Sequence, residues 1–218
     1  MAPEESPEPG QIRNSNEVML HAQILQTDAK PQPLGIARDE RNHLRSKIQE
    51  GLKSDFLLLS GGVSAGERDL VPSELEQAGV KQVFHMVNLK PGKPLWFGIL
   101  ERSDGDPCYI FGLPGNPVSS MVCFELFVRT AIRQFMGFPS PRPQVQQARL
   151  KNDYHTSGNR PTYQPARLEW EAGESTVSPL ITMGSADLNS TVKANAVALF
   201  PTGNQHYQAG LKVDVFLW

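Results

Sequence analysis

Three short stretches of this chain carry residue types that hold anions. Leu57–Asp69 reads LLLSGGVSAGERD, Lys90–Pro94 reads KPGKP, and Ile110–Ser120 reads IFGLPGNPVSS. In the first, an apolar run breaks at Ser60, Gly61, Gly62, Val63 and Ser64. Glycines lack Cβ, so backbone N–H groups there can approach a ligand closely. A tight strand-to-helix turn accounts for one Gly-Gly equally well, and neither a Walker lysine nor a GxGxxG pattern follows. In the third stretch, Gly112, Pro114, Gly115, Asn116 and Pro117 lead into an amphipathic segment. Asn116 suits a helix N-cap and Pro117 the first helical position. A helix N-terminus presents unpaired N–H groups and a positive dipole end. Capping alone asks for less rigidity than two prolines and two glycines in GLPGNP supply.

The middle stretch puts Lys90 and Lys93 on a loop braced by Pro91, Gly92 and Pro94. Lysine binds phosphate as a point charge, although a lysine pair on a surface is also simply well solvated. Asp39 and Asp69 each precede a predicted helix. They are either N-caps or carboxylates at one sheet edge, where they could hold a hard divalent cation bridging phosphate oxygens. His85 has no second histidine near it and reads as a packed or surface residue. Arg38, Arg41 and Arg45 alternate with Asp39 and Glu40, as on a solvated helix face. No basic stripe suited to nucleic acid is evident.

These residues need elements to position them. Asn14 and Ser15 offer an N-cap to a helix with Val18, Ala22 and Leu25 as its apolar face. Leu34–Ala37 reads as a short strand, and Leu44, Ile48 and Leu52 mark a second helix. Asp55–Ser60 is a continuous apolar strand, the kind found in a sheet covered on both faces. A helix near Pro72–Ala78 and a strand at Val83–Leu89 follow. Leu95–Leu100 and Cys108–Leu113 pair as a hairpin, and Pro117–Met136 is a long helix. Alternating strands and helices predict a three-layer α/β/α domain with a mostly parallel sheet.

The pattern then changes. Phe138–Pro143 (FPSPRP) reads as a linker, and no helical period follows it. Gln144–Lys151, Tyr163–Trp170, Thr176–Leu180, Ala196–Pro201 and Lys212–Trp218 read as strands of a small all-β domain. The expected organisation is a tail over 1–10, an α/β domain over 11–137, a linker over 138–143 and a β-barrel over 144–218.

Composition is ordinary for a globular protein: 218 residues, 39% hydrophobic, with a net charge of −2. No global field draws nucleic acid or an acidic membrane, so any anion site is local. Two cysteines, Cys108 and Cys123, lie in apolar surroundings without metal-ligand spacing. They read as buried free thiols of a reducing compartment. No apolar run approaches the ~20 residues of a membrane span. The acidic, proline-rich MAPEESPEPG is unlike a signal peptide, and a cytoplasmic location is expected.

With GGVSAGERD, KPGKP and GLPGNPVSS in this order, the chain resembles the molybdopterin molybdenumtransferases. These are the MoeA-like proteins of molybdenum cofactor synthesis, related to the C-terminal part of gephyrin. QIRNSN at 11–16, GIARDE at 35–40 and GSADLNSTVKANAVALFP at 184–201 extend the resemblance from about Gln11 to the C-terminus. The resemblance implies a molybdopterin-binding α/β domain followed by a C-terminal β-barrel. It implies insertion of molybdate into adenylylated molybdopterin with release of AMP, a need for Mg²⁺, and a homodimeric full-length protein. By the same resemblance Asp39, Asp69 and Lys90 match residues important for activity, with Asp39 and Asp69 the metal candidates. Ser60, Gly61, Gly62, Ser64, Lys93, Gly112, Pro114, Gly115, Asn116 and Pro117 fall in the substrate-binding motifs. Ser185 matches a serine facing the cleft.

Two departures stand out. Met86 occupies a position where some members carry lysine. The family's TGDEL segment would lie upstream of MAPEESPEPG, along with two further domains, so a fragment is expected, weakly active or inactive alone. Two other readings compete. A molybdopterin adenylyltransferase shares the α/β fold, but usually reads GGTG in the first loop and lacks the barrel. A non-catalytic scaffold module would not need the carboxylate and lysine set.

Overall fold

The computed structural model describes residues 1, 5–6, 8–38, 40–63, 70–103, 105–171, 173–181 and 184–217, the side chains of 189 and 190 excepted. The chain divides into two compact units, Met1–Val87 with Pro94–Gly115, and Asn88–Lys93 with Asn116–Trp218. No helix among the described residues is long and apolar enough to cross a membrane.

In the first unit, α1 (Ser15–Leu25) and α2 (Arg41–Gly51) precede β1 (Phe56–Ser60). Then come α3 (Leu70–Gln77), β2 (Lys81–His85), β3 (Trp96–Leu100) and β4 (Cys108–Leu113). The strands form one sheet in the order β1-β4-β3-β2. Only β1 and β4 run parallel, while β4–β3 and β3–β2 are antiparallel. The α/β character stands, but the sheet is mixed rather than mostly parallel. The reason lies in the connections. Parallel neighbours need a crossover of a dozen or more residues, usually a helix. Among the described residues the links β2–β3 and β3–β4 contain no helix, so each returns antiparallel.

The core of this unit follows the predicted periodicity of α2. Leu44, Ile48 and Leu52 pack with Val71 and Leu75 of α3 and with Leu57, Trp96, Cys108 and Ile110 of the sheet. Each such side chain contributes ~1.5–3 kcal/mol on full burial. Trp96 is buried and still satisfies its indole N–H, which donates to Gln82 Oε1 at 2.8 Å. Leu34 and Ala37 pack against this core, but the segment expected as a strand is irregular.

α1 opens as expected, with Asn14 accepting from the Glu17 N–H and donating to Glu17 Oε2 at 2.8 Å. Its buried face is not the expected one. Asn16, Leu20 and Gln23 are buried, whereas Val18 and Leu25 are 57% and 53% exposed. Hydrophobic periodicity alone would turn this helix the other way.

The second unit holds α4 (Pro117–Cys123), a π-helical turn at Phe124–Val128, and α5 (Arg129–Phe135) where one long helix is predicted. Arg129 and Glu125 pair across the π turn, with side chains 2% and 4% exposed. Strands β5 (Gln144–Leu150), β6 (Tyr154–Thr156), β7 (Thr162–Glu171) and β8 (Glu174–Pro179) follow. A short helix, α6 (Leu188–Val192), appears where no helical period is visible in the sequence. It leads to β9 (Ala196–Phe200), β10 (Gln205–Tyr207) and β11 (Lys212–Leu217). The five expected strands close a barrel in the order β11-β5-β8-β7-β9, and β6 pairs with β10. Small residues, Ala148, Ala166, Ala196 and Ala198, share the barrel core with Phe200, Val177 and Val215. Alternating small and large side chains suit the narrow interior of a five-stranded barrel.

Candidate functional site

In the first unit the two glycine turns meet. β1 and β4 are parallel with Ser60 opposite Leu113, so both turns leave the sheet at its carboxyl edge. Ligands of open α/β sheets bind at this edge. The Gly61 N–H donates to the Leu113 carbonyl at 3.0 Å. Gly61 and Gly62 have φ of 88° and 69°, a region that L side chains rarely adopt. A Cβ on Gly61 would stand 3.9 Å from Gly115 Cα, so the turns approach backbone to backbone. A Cβ on Gly112 would meet Val63 Cγ1 at 2.5 Å. The expectation that both turns lie at one edge therefore holds for Ser60–Val63 and Gly112–Gly115.

One residue tying these turns together was not singled out from the sequence. Asn16 Nδ2 donates to Ser60 Oγ and to the Gly115 carbonyl, both at 2.7 Å. Its place in QIRNSN, just inside a capped helix, was the available clue. His85 is half-buried, with Nε2 2.9 Å from the Val63 carbonyl, which fits the packed reading. Asp39, Ser64 and Asp69 lie outside the described residues.

In the second unit the KPGKP loop runs along β7. Lys90 forms a one-residue parallel bridge with Thr162. The Lys90 N–H donates to the Pro161 carbonyl at 2.9 Å, and the Tyr163 N–H donates to the Lys90 carbonyl at 2.7 Å. Arg160 Nη1 donates to the Leu89 carbonyl at 2.7 Å, one residue before Lys90. Arg160 too was missed in the sequence, where nothing in its spacing links it to residue 89. Lys90 is half-buried, and its Nζ donates to the Ser157 carbonyl at 3.2 Å. The loop seats on Gly92, whose φ is 116° and whose absent Cβ would meet Cys123 Sγ at 2.5 Å. Burial pushes the Cys123 thiol up to about 12, so it serves as packing and not as a nucleophile.

Asn116 and Pro117 sit as expected at the start of α4, with Pro117 in the first turn. The Asn116 side chain makes no capping bond. Its Nδ2 donates instead to Ser185 Oγ at 2.7 Å, and the Val118 N–H donates to the Ser185 carbonyl at 3.1 Å. Asn116, Pro117 and Ser185 are thus gathered within this unit.

Among the described residues no group of three or more His, Cys, Asp or Glu side chains could hold a metal ion.

The class of fold is thus a mixed α/β unit with a glycine-turn edge and a unit built on a closed five-stranded β-barrel. The comparisons with known proteins make the class specific. The family described as "Probable molybdopterin binding domain" matches residues 5–134, and "MoeA C-terminal region (domain IV)" matches 147–218. The chain belongs to the molybdopterin-binding domain family, with the MoeA C-terminal region as its barrel. It is 32% identical over 211 residues to the molybdopterin molybdenumtransferase of Bacillus subtilis, covering 96% of this chain and 48% of that protein. It is 32% identical over 218 residues to the enzyme of the same name from Nostoc sp., covering 95% and 48%. The crystal structure of the molybdopterin biosynthesis moeA protein from Pyrococcus horikoshii superposes with a TM-score of 0.80 at 27% identity. That match covers 100% of this chain and 51% of the other. The chain spans about half the length of the curated relatives it matches.

Proposed function

We propose that this chain is the ligand-binding half of a molybdenum-inserting transferase of molybdenum cofactor synthesis. Its substrates would be molybdate and adenylylated molybdopterin, with AMP released. The observation that carries this reading is the pair of glycine turns at one sheet edge, held backbone to backbone at Gly61 and Gly115. Oriented N–H donors there suit the phosphate of a pterin nucleotide.

In this reading Ser60, Gly61, Gly62, Ser64, Gly112, Pro114 and Gly115 are the ligand-binding residues of the first unit. Lys90, Lys93, Asn116, Pro117 and Ser185 are substrate-binding candidates that belong to the second unit. Lys90 would stabilise negative charge as molybdate reacts. Asp39 and Asp69 would hold Mg²⁺, whose chemistry is to bridge and neutralise phosphate oxygens. Small-molecule anions are the partners, and a homodimer of the full-length protein belongs to the same reading. Two free, buried thiols support a reducing, cytoplasmic setting.

The test is an anaerobic assay of this chain beside the full-length Bacillus subtilis relative, measuring molybdopterin binding and molybdate-dependent AMP release. Binding with slow release is expected from this chain. Absence of molybdopterin binding would overturn the proposal. Binding with no AMP release under any condition, even with Mg²⁺ and the relative's remaining half, would favour a non-catalytic module.

A further inference from the structure

We propose that Asn16 is a positioning residue of the glycine-turn edge, setting which way its polar groups face an anionic ligand. This rests on the reading above that the edge binds a molybdopterin phosphate.

The helix carrying Asn16 is turned against its own hydrophobic pattern. Asn16 and Gln23 are buried while Val18 and Leu25 are more than half exposed. Asn16 is 8% exposed, and its Oδ1 is buried without a hydrogen-bond partner among the described residues. A buried, half-satisfied amide is a poor choice for packing, where leucine has a similar shape and no polar group to strand. The position therefore asks for the Nδ2 group.

That group makes two bonds with opposite-facing consequences. By donating to Ser60 Oγ, it uses a hydroxyl lone pair and leaves the Ser60 O–H free to donate outward. By donating to the Gly115 carbonyl, it ties back an acceptor that would otherwise repel an anion. The two contacts reach the end of β1 and the turn after β4, so one planar amide bridges the two turns beside the Gly61–Leu113 bond. Aspartate would invert this: it would accept the Ser60 proton, release the Gly115 carbonyl and add a negative charge.

The experiment measures affinity for molybdopterin, and for inorganic phosphate as a second probe, by anaerobic ultrafiltration. The thermal midpoint of each protein is recorded alongside. The proteins are the unaltered chain, Ser60→Ala, Asn16→Leu, Asn16→Asp and the Asn16→Leu/Ser60→Ala double variant. Ser60→Ala should weaken binding about ten-fold and Asn16→Leu at least as much. The double variant should be no weaker than Asn16→Leu alone, because Asn16 acts through Ser60. Asn16→Asp should be the weakest, and the thermal midpoint of Asn16→Leu should hold.

Unaltered affinity in Asn16→Leu, strictly additive losses, or a binding loss that only follows a collapsed thermal midpoint would each overturn the proposal. Should Asn16→Leu not fold, Asn16→Asp decides, and wild-type affinity there overturns it. If the unaltered chain binds phosphate in an Asn16-dependent way but not molybdopterin, the functional reading fails and the positioning role stands. If it binds neither, both fail.

Discussion

The carbonyl of Lys90 accepts a hydrogen bond from the N–H of Tyr163 at 2.7 Å, while the Lys90 N–H donates to Pro161. Lys90 is thus held through both of its backbone groups at the start of β7. Among the described residues its Nζ donates to the Ser157 carbonyl.

Lys90→Ala should therefore separate function from folding. Its main-chain bonds survive the substitution, so unfolding in urea should change by no more than about 0.5 kcal/mol. Molybdopterin affinity should fall about ten-fold, as expected for one lost charged donor. Equal affinity in the variant would remove Lys90 from the ligand's contacts.

Gly92→Ala should damage the same loop through its backbone. The residue sits at φ 116°, and a methyl there would stand 2.5 Å from Cys123 Sγ and 3.0 Å from Leu89 Cδ1. Backbone strain and overpacking each cost about 1–3 kcal/mol. A urea midpoint matching the unaltered protein would show that the loop sits elsewhere.

The ion pair of Arg129 and Glu125 is nearly solvent-free, with Nη2 2.9 Å from Oε1. Arg129→Met should cost about 3–5 kcal/mol, because it strands a buried carboxylate. Adding Glu125→Gln should recover part of that loss. A double variant no more stable than Arg129→Met would show that the pairing is not the source of the cost.

Both thiols should be inert in the folded protein. Burial is the main cause that raises Cys108, opposed by nearby Arg102, and it raises Cys123 to about 12. Unfolded cysteine ionises near roughly 8.5. The folded state holds its thiol protons more tightly, so this contribution is complete below that pH. It is lost as pH rises toward the folded values. Ellman's reagent at pH 8 should label neither cysteine until the protein unfolds, and fast labelling of native protein would contradict the burial.

Much of this organisation is legible in the residues themselves. The apolar run at Leu57–Leu59 gives way to Ser60 and Gly61, and β1 ends at Ser60; the run at Tyr109–Leu113 stops at Pro114, and β4 ends at Leu113. The alternating strands after Pro143 close the expected barrel. Helix α1 was misread because its buried face is chosen by hydrogen bonds of Asn16 to residues 44 and 99 positions away. Periodicity counts apolar side chains and is blind to such partners. The strand expected at Leu34–Ala37 did not form, since extended backbone becomes a strand only beside a paired neighbour. The KPGKP loop could be located in sequence but not assigned its neighbour, because nothing local in Leu89–Lys93 names Pro161 and Tyr163.

The chain changes units between Val87 and Asn88, between Lys93 and Pro94, and between Gly115 and Asn116. The proline-rich stretch 138–143 is none of these crossings. Severing the polypeptide there would part the barrel strands from residues 88–93 and from the helices after Asn116, which belong to the same compact body. Each unit is therefore built from two stretches of the chain, so a single cut anywhere in the polypeptide cannot release either one whole.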